Sequence, residues 1–208
     1  AVIELVGSDI YAQQWHQFRG PGSRGISEST NLPVTWDYES REGIEWEVET
    51  KGRGWSSPII TSGRIYYTTV VNDGDTEGAR KGLYFGGDRS KPPAGVHHWM
   101  VVCRDLKTGK LVWTKEVHKG IPGGSIHIKN SYASETAVTD GERLYVSFGH
   151  LGVFCLNLDG KVIWERRGKD AKTRNGWGTA ASPVLYKNQL FIVDDNEEQS
   201  TLLALDKN

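Results

Sequence analysis

The stretch Cys103-Arg-Asp-Leu-Lys-Thr-Gly-Lys-Leu-Val-Trp113 decides the fold, because the chain repeats it. An apolar run enters a turn at Asp105, leaves it through Gly109-Lys110 and ends on an aromatic residue. The pattern returns as Cys155-Leu-Asn-Leu-Asp-Gly-Lys-Val-Ile-Trp164 and begins a third time at Leu203-Ala-Leu-Asp206. Asp105, Asn157 and Asp206 therefore stand in register, 52 and then 49 residues apart. A fixed period of about 50 residues predicts a repeat architecture.

A second motif lies in step with the first and predicts a hairpin in each repeat. It reads Trp55-Ser-Ser-Pro-Ile-Ile-Thr-Ser-Gly-Arg-Ile-Tyr-Tyr67, then Glu135-Thr-Ala-Val-Thr-Asp-Gly-Glu-Arg-Leu-Tyr-Val146, then Ser182-Pro-Val-Leu-Tyr-Lys-Asn-Gln-Leu-Phe-Ile-Val193. Short β-rich runs broken by Ser-Gly, Asp-Gly or Lys-Asn are hairpin signals. Together the two motifs predict four short antiparallel strands per repeat, which we label A to D in chain order. Four-stranded units of about 40–50 residues without helices between them are typical of β-propeller blades, so the predicted fold class is all-β.

The repeat resembles that of a known family. Asp-x-x-x-Gly-Lys-x-x-Trp, followed by Ser-Pro and two apolar residues, is similar to the blade repeat of pyrroloquinoline-quinone (PQQ)-like β-propellers. That group includes quinoprotein dehydrogenases and the propeller lipoprotein of outer-membrane-protein assembly. The opening Trp15-His-Gln-Phe-Arg-Gly-Pro21 also resembles the start of exported bacterial propellers. The resemblance implies the fold and a location in the periplasm, in the secreted fraction or at the cell surface. One fold hosts many activities, so it does not by itself define the function.

The domain organisation follows from the repeats. Residues 1–42 carry no periodicity and are expected to form an N-terminal extension, whereas 43–208 form a partial propeller. The predicted parts are the outer strand of a closing blade at 43–50, blades at 55–117 and 132–166, and an incomplete blade at 177–208. About three blades and one stray strand cannot close a ring. We therefore expect the intact protein to hold seven or eight blades, roughly 400 residues in all, and to need them for closure.

Composition narrows the class of protein. A net charge of −1 and a pI near 6.7 argue against a nucleic-acid binder. No apolar run approaches the length of a membrane span, so no transmembrane segment is predicted. Cys103 and Cys155 occupy the same slot of successive repeats, so we expect buried free thiols rather than a disulfide or a metal pair. Trp46, Trp113 and Trp164 are expected to pack between blades.

The connections predict which face of the propeller works. In an antiparallel meander the A–B and C–D turns share one face, and the B–C and D–A connections share the other. The first set is minimal, whereas the D–A connections at about 118–134 and 167–180 and the first B–C connection at about 71–96 are long. Long loops on a rigid scaffold tend to carry function. We call the side with the long connections the loop-rich face.

Several features of the loop-rich face suggest a ligand, and each has a simpler explanation. Each D–A connection places an aromatic residue beside small or amide residues, just before strand A. The candidate cofactor- or ligand-binding residues are Trp55, Asn130, Tyr132, Glu135, Arg174 and Trp177. The aromatic residues would equally serve as packing between blades, and the basic run 166–174 as a solvated loop. The histidines there lack the spacing of metal ligands, so no metal site is predicted.

The first functional hypothesis is a non-enzymatic scaffold. Its loop-rich face would bind a protein partner or a small anionic ligand in the bacterial cell envelope. The sequence holds no Gly-x-Ser-x-Gly, Walker or His-Glu-x-x-His motif, and no catalytic residue is predicted. Mixed charge and aromatic residues on long loops are typical of an interface.

The alternative is a quinoprotein dehydrogenase that uses PQQ and Ca²⁺ on alcohols or sugars. Trp55 or Trp177 would stack on the planar cofactor, and Arg174, Lys129 or Arg53 would meet its carboxylates. Asn130 and Glu135 would offer oxygen ligands to Ca²⁺. The vicinal cysteine pair common in the alcohol dehydrogenases of the family is absent here. A third hypothesis, a carbohydrate hydrolase, would need paired carboxylates at a fixed separation. Asp73, Asp75 and Glu77 cluster in a Gly-rich loop, which is poorly suited to fix that separation.

Overall fold

The chain folds into successive antiparallel sheets. The computed structural model describes residues 14–30, 32–74, 94–169 and 172–208, and in these ranges the regular structure is all-β apart from three short 3₁₀ turns. Strands β1 (Ile59–Thr61), β2 (Arg64–Asn72), β3 (His97–Asp105) and β4 (Leu111–Gly120) form the first sheet in that order. Strands β5 (Val138–Thr139), β6 (Arg143–Ser147), β7 (Gly152–Asn157) and β8 (Val162–Arg167) form the second. Strands β9 (Val184–Tyr186), β10 (Gln189–Asp194) and β11 (Thr201–Asp206) form the third.

The three sheets repeat one register. Arg64 pairs with Asp105 in the first sheet, and Arg143 with Asn157 in the second. The third sheet places Gln189 opposite Asp206 in the same way. The four-stranded antiparallel meander predicted from the sequence is thus confirmed in two sheets, and the third follows the same order with three strands. These sheets are propeller blades.

Trp113 and Trp164 occupy equivalent positions, as the repeat predicted. Trp113 pairs with Cys103, and Trp164 pairs with Cys155. In both sheets the register shifts directly after this pair, so the outer strand carries an irregularity at the same place. Cys103 and Cys155 are free and buried, and burial raises the pKa of each thiol to about 11.

The cores lie between sheets because strand residues alternate in direction. Leu144 and Val146 of β6 face the first sheet, in a cluster that includes Tyr66 and Val101. Tyr145, between them in sequence, faces the third sheet. The same alternation places Phe154 and Leu156 in the first core, and Val153 and Cys155 in the second. The second sheet is therefore covered on both sides, which explains its near-continuous apolar strands.

A repeated contact joins one sheet to the C–D turn of the next sheet. The indole nitrogen of Trp113 and a guanidinium nitrogen of Arg64 donate to the carbonyl of Leu158, at 3.0 and 3.1 Å. Trp164 and Arg143 donate likewise to the carbonyl of Lys207, at 3.2 and 3.4 Å. We call this arrangement the turn clamp. Trp46 makes the same indole contact with the carbonyl of Leu106, at 3.1 Å.

The motif residues of the C–D turn explain why it can receive a tryptophan. The carboxylate of Asp105 accepts hydrogen bonds from the backbone and hydroxyl of Thr108, at 2.8 and 2.6 Å, which closes the turn. Gly109 and Gly160 have positive φ angles of 67° and 85°. A Cβ atom on Gly160 would lie 3.0 Å from the ring of Trp113, and one on Gly109 would lie 2.5 Å from the ring of Trp46. Glycine is therefore required both by the turn and by the ring against it.

The N-terminal segment crosses the innermost strands. Trp15 exchanges two backbone hydrogen bonds with Ile60, at 2.9 and 2.8 Å, and Thr139 donates to the carbonyl of His16 at 3.0 Å. The segment thus contacts the first strand of both the first and the second sheet, β1 and β5, which correspond to strand A of the repeat. Residues 44–50 carry no strand assignment, so the outer strand proposed at 43–50 and the blade boundaries stay predictions.

The turn clamp predicts a stability effect for Trp113→Ala. The ring is partly buried rather than fully buried, so we expect a loss of about 2–4 kcal/mol in the free energy of unfolding, below the about 3–5 kcal/mol of a fully buried tryptophan. Urea unfolding followed by far-UV circular dichroism measures it. Trp113→Phe keeps an aromatic ring and removes the indole hydrogen bond, so it should lower the free energy of unfolding by about 1 kcal/mol relative to the wild type.

Trp36→Ala is the matched control, because Trp36 is largely exposed. It should change the free energy of unfolding by less than about 0.5 kcal/mol. Equal losses in Trp36→Ala and Trp113→Ala would contradict the clamp.

Candidate functional site

The two D–A connections lie against each other on the loop-rich face. They run from Gly120 at the end of β4 to Val138, and from Arg167 at the end of β8 to Val184. The hydroxyl of Ser125 donates to the carbonyl of Gly176 at 3.2 Å, and the backbone of His127 donates to the carbonyl of Trp177 at 3.2 Å. The long connections are thus fixed by contacts between blades. Most of the first B–C connection, residues 75–93, lies outside the described residues, as do Asp75 and Glu77.

Asn130 fastens the two connections together. Its amide nitrogen donates to the carbonyls of Trp177 and Thr179, at 2.8 and 3.2 Å. Its amide oxygen accepts from the backbone of Ser131 and the hydroxyl of Ser134, at 2.8 and 2.6 Å. Both donors and both acceptor sites of the amide are therefore used within the protein. The side chain that was predicted to bind a ligand holds the scaffold in place.

Glu135 is buried between the second and third sheets. Its side chain is 2% exposed, and its carboxylate accepts a hydrogen bond of 2.6 Å from the hydroxyl of Thr179. Burial raises the pKa of Glu135 to about 7, and the hydrogen bond from Thr179 opposes only part of that shift. The carboxyl group therefore titrates near neutral pH.

Tyr132 belongs to an aromatic cluster at the seam between the first and second sheets. Its ring lies edge-on to His97 at 5.4 Å and to Trp99 at 6.1 Å between centroids. Its hydroxyl donates to the carbonyl of Gly124 at 2.6 Å. Burial raises the pKa of Tyr132, so the phenol stays protonated. The hydroxyl of Tyr132 thus holds the 121–126 loop in place at Gly124.

The remaining predicted residues are exposed. Trp55 is 57% exposed and Trp177 is 39% exposed, with the ring of Trp177 edge-on to His127 at 5.5 Å. Arg174 lies on the surface in the turn Arg174–Gly176. Trp55 and Asn130 line one cleft of about 670 Å³, together with Lys129 and the N-terminal segment. The structure thus brings Trp55 near Asn130, and Asn130 near Trp177, but separates Glu135 and Tyr132 into two different seams.

A second cavity opens at the seam of the first two sheets. It has a volume of about 420 Å³, and we call it the seam pocket. Its lining includes the aromatic residues Trp99, Tyr132 and Phe148 and the basic residues His118, His150 and Arg167. The 121–126 loop forms one wall, which Tyr132 and Ser125 hold through their hydroxyl groups.

A family model described as outer membrane protein assembly factor BamB matches residues 98–208, which is more than half of the chain. The chain belongs to the BamB family. A search of curated proteins finds no match. Among solved structures, the crystal structure of BamB from Moraxella catarrhalis matches with 14% sequence identity and a TM-score of 0.35. That match covers 73% of this chain and 44% of the BamB chain, so this chain spans less than half the length of that protein.

The predicted oxygen ligands of this BamB-family chain do not fit a Ca²⁺ ion bound beside PQQ. The amide oxygen of Asn130 already accepts two hydrogen bonds, and the carboxylate of Glu135 is enclosed with Thr179. Within the described ranges, no group of three or more His, Cys, Asp or Glu side chains is arranged to hold a metal. Among the described residues, no helix has the length and apolar character that crossing a membrane requires.

The sequence of this BamB-family chain predicts histidines on the loop-rich face, but it does not indicate which side chains they contact. His98 bonds to Glu116 and Asp73, at 2.6 and 3.1 Å, and these carboxylates raise the pKa of His98. Asp73 is thus paired with a histidine on strand β3. His118 and His150 come together with Arg167 only through the seam. The sequence shows that these residues lie at the loop-rich ends of adjacent repeats. Spacing along the chain does not give the distance between their side chains across the seam.

The titration of Glu135 predicts a pH dependence of stability. Below pH 4.5 the carboxyl group is protonated in both states; between 4.5 and about 7 only the folded state keeps the proton. The free energy of unfolding should therefore fall as pH rises through this window, by up to about 3 kcal/mol, and level off above it. In Glu135→Gln this fall should vanish, so the stability of the variant relative to the wild type should rise by up to about 3 kcal/mol between pH 4.5 and 8.

Urea unfolding at pH 4.5, 6 and 8 tests this expectation. Glu142→Gln, which changes an exposed glutamate on the tight turn before β6, is the control and should follow the wild type. Parallel pH profiles of Glu135→Gln and the wild type would show that the buried carboxyl does not titrate in this window.

Proposed function

We propose that this chain is part of a non-enzymatic envelope scaffold of the BamB type, which binds a protein partner through its loop-rich face. The observation that carries the proposal is the difference between the two ends of the sheets. The tight-turn end is occupied by the turn clamp, in which side chains of one blade cover the turns of the next. Exposed apolar side chains beside the tight turns, such as Leu111 and Tyr186, lie on strands, whereas the loop-rich end exposes large apolar side chains on the connections themselves.

The chemistry of the loop-rich face supports a protein partner. Ile121 is 70% exposed on the first D–A connection; the exposed ring of Trp177 lies on the second, and that of Trp55 on the segment before β1. Exposed lysines and arginines surround them, including Lys119, Lys129, Lys169, Lys172 and Arg174. Aromatic anchors within a polar, charged rim are the usual anatomy of a protein interface. The proposal extends the description outer membrane protein assembly factor to this chain, and places it in the periplasm with a component of outer-membrane protein assembly as its partner.

The chemistry-bearing side chains support a scaffold rather than an enzyme. Asn130 has used all of its hydrogen-bonding capacity within the protein, and Glu135 is sealed between sheets. Asp73 and Glu116 are paired with His98. These groups stabilise the connections, and the exposed apolar side chains are what the face offers to another molecule.

Site-specific photo-crosslinking in the native host tests the proposal. The full-length protein would carry p-benzoylphenylalanine at position 121 or 177 on the loop-rich face, or at position 107 on the tight-turn face. Positions 121 and 177 should yield one shared adduct, identified by mass spectrometry as an envelope protein of outer-membrane assembly. Position 107, which holds an exposed lysine in a C–D turn, should not.

Trp177→Ala provides a quantitative arm, because it removes an exposed ring but keeps the backbone carbonyl that Asn130 and His127 use. It should reduce the adduct at position 121 at least fivefold without lowering the unfolding midpoint. Equal crosslinking from both faces, or an adduct at 121 that is indifferent to Trp177→Ala, would refute binding through the loop-rich face.

A further inference from the structure

We infer that the seam pocket is a binding site for a small organic carboxylate with a flat, apolar body. The inference does not rest on the proposed protein partner: Ile121 belongs to both surfaces, but the histidines, the arginine and the aromatic walls of the cavity carry the inference. The cavity volume of about 420 Å³ falls within the range of small-molecule sites in proteins. The pocket combines aromatic walls with a set of hydrogen-bond donors that the fold does not use.

His150 is the first sign of a polar ligand. Both of its ring nitrogens are buried, and among the described residues neither has a hydrogen-bond partner. The nearest acid, Asp194, lies 3.9 Å from Nδ1, beyond hydrogen-bond distance. Buried polar atoms are almost always satisfied by protein, water or ligand. The imidazole of His150 lines the seam pocket, so a group bound there can supply the missing partner.

His118 presents a donor to the same cavity. A guanidinium nitrogen of Arg167 lies 3.1 Å from Nδ1 of His118. Burial and the nearby charge of Arg167 lower the pKa of His118, so the ring is neutral at pH 7. Because Arg167 can only donate, Nδ1 must accept, and the proton of the neutral ring is on Nε2. The hydrogen bond from Arg167 thus fixes the tautomer and makes Nε2 a donor.

Arg167 keeps donor capacity in reserve. It binds Glu165 through two nitrogens, at 3.1 and 3.0 Å, and His118 through a third contact. Three of the five N–H groups of a guanidinium are thereby used, which leaves two. The ring of Phe154 lies 5.1 Å below the guanidinium and holds its plane. Glu165 does not line the seam pocket, and neither does any other acidic side chain of the described residues.

The lining defines the class of ligand. A pocket whose described lining holds two histidines, one arginine and no carboxylate favours an acceptor-only, anionic group. Trp99, Tyr132 and Phe148 supply aromatic surface for an apolar body next to that group. A monocyclic aromatic carboxylate meets both demands, and sodium benzoate is the simplest probe. Benzamide has the same shape without the charge, and inorganic phosphate has charge without the apolar body.

Isothermal titration calorimetry with the three probes tests the inference. Benzoate should bind with one site and a Kd on the order of 1 mM or tighter, whereas benzamide and phosphate should bind at least tenfold more weakly. His150→Phe, which keeps an aromatic ring and removes both nitrogens, should weaken benzoate binding at least tenfold. Arg166→Gln is the matched control, because Arg166 lines the narrow cavity between the second and third sheets instead, and should leave the Kd within twofold.

Methyl NMR of the unchanged protein keeps the test independent of how the variants fold. Benzoate should shift the methyl signals of Ile126 and Leu151, which line the seam pocket, and leave Ile192 and Leu205 in the next seam unmoved. Shifts confined to the next seam, an absence of saturable benzoate binding, or equal affinity for benzoate and benzamide would each overturn the inference. Equal affinity for phosphate and benzoate would do so as well, because the site would then recognise charge alone.

Discussion

The turn clamp is the contact on which the rest of the structure depends. A carbonyl oxygen has two lone pairs, so the carbonyl of Leu158 can receive both the indole of Trp113 and the guanidinium of Arg64. The eleven-residue motif supplies both halves of the clamp: a ring at its end, and a glycine-containing turn that receives the ring of the preceding sheet. Each repeat can thereby dock on the one before it and accept the one after it, which makes stability a matter of nearest neighbours.

This division of labour explains why the two ends of the sheets differ. Turns that receive a ring and close on an Asp or Asn side chain stay short, and the first two differ in length by only one residue. The connections at the other end carry no such demand, so they are free to lengthen and to expose Ile121 and Trp177. Their order comes from specific fasteners, above all the four hydrogen bonds of Asn130. A rigid but exposed surface is suited to recognition, since little conformational entropy is lost on binding.

The seams between sheets hold the most unusual electrostatics of the molecule. Glu135 lies in one seam with a hydroxyl as its side-chain partner, so desolvation sets its protonation state. His118, His150 and Arg167 meet at the other, where their donors converge on aromatic walls. In both cases the chemistry arises where two repeats meet, and neither repeat alone would create it. Function in a repeat protein of this kind is therefore expected at seams and on loops rather than within a blade.

The sequence by itself determined the repeat, the strand order and the register, because each depends on residues close together in the chain. Asp105, Asn157 and Asp206 mark equivalent turns, and the alternation of apolar residues along β6 and β7 assigns two buried faces. Only the tertiary structure decided which side chains are spent on the fold. Asn130 and Glu135 read as ligands in the sequence, yet the partners that use them, Trp177 and Thr179, lie more than 40 residues away. The seam pocket depends likewise on His118 meeting Arg167 across 49 residues. Distances across a seam follow from how whole sheets dock, and no local pattern encodes them.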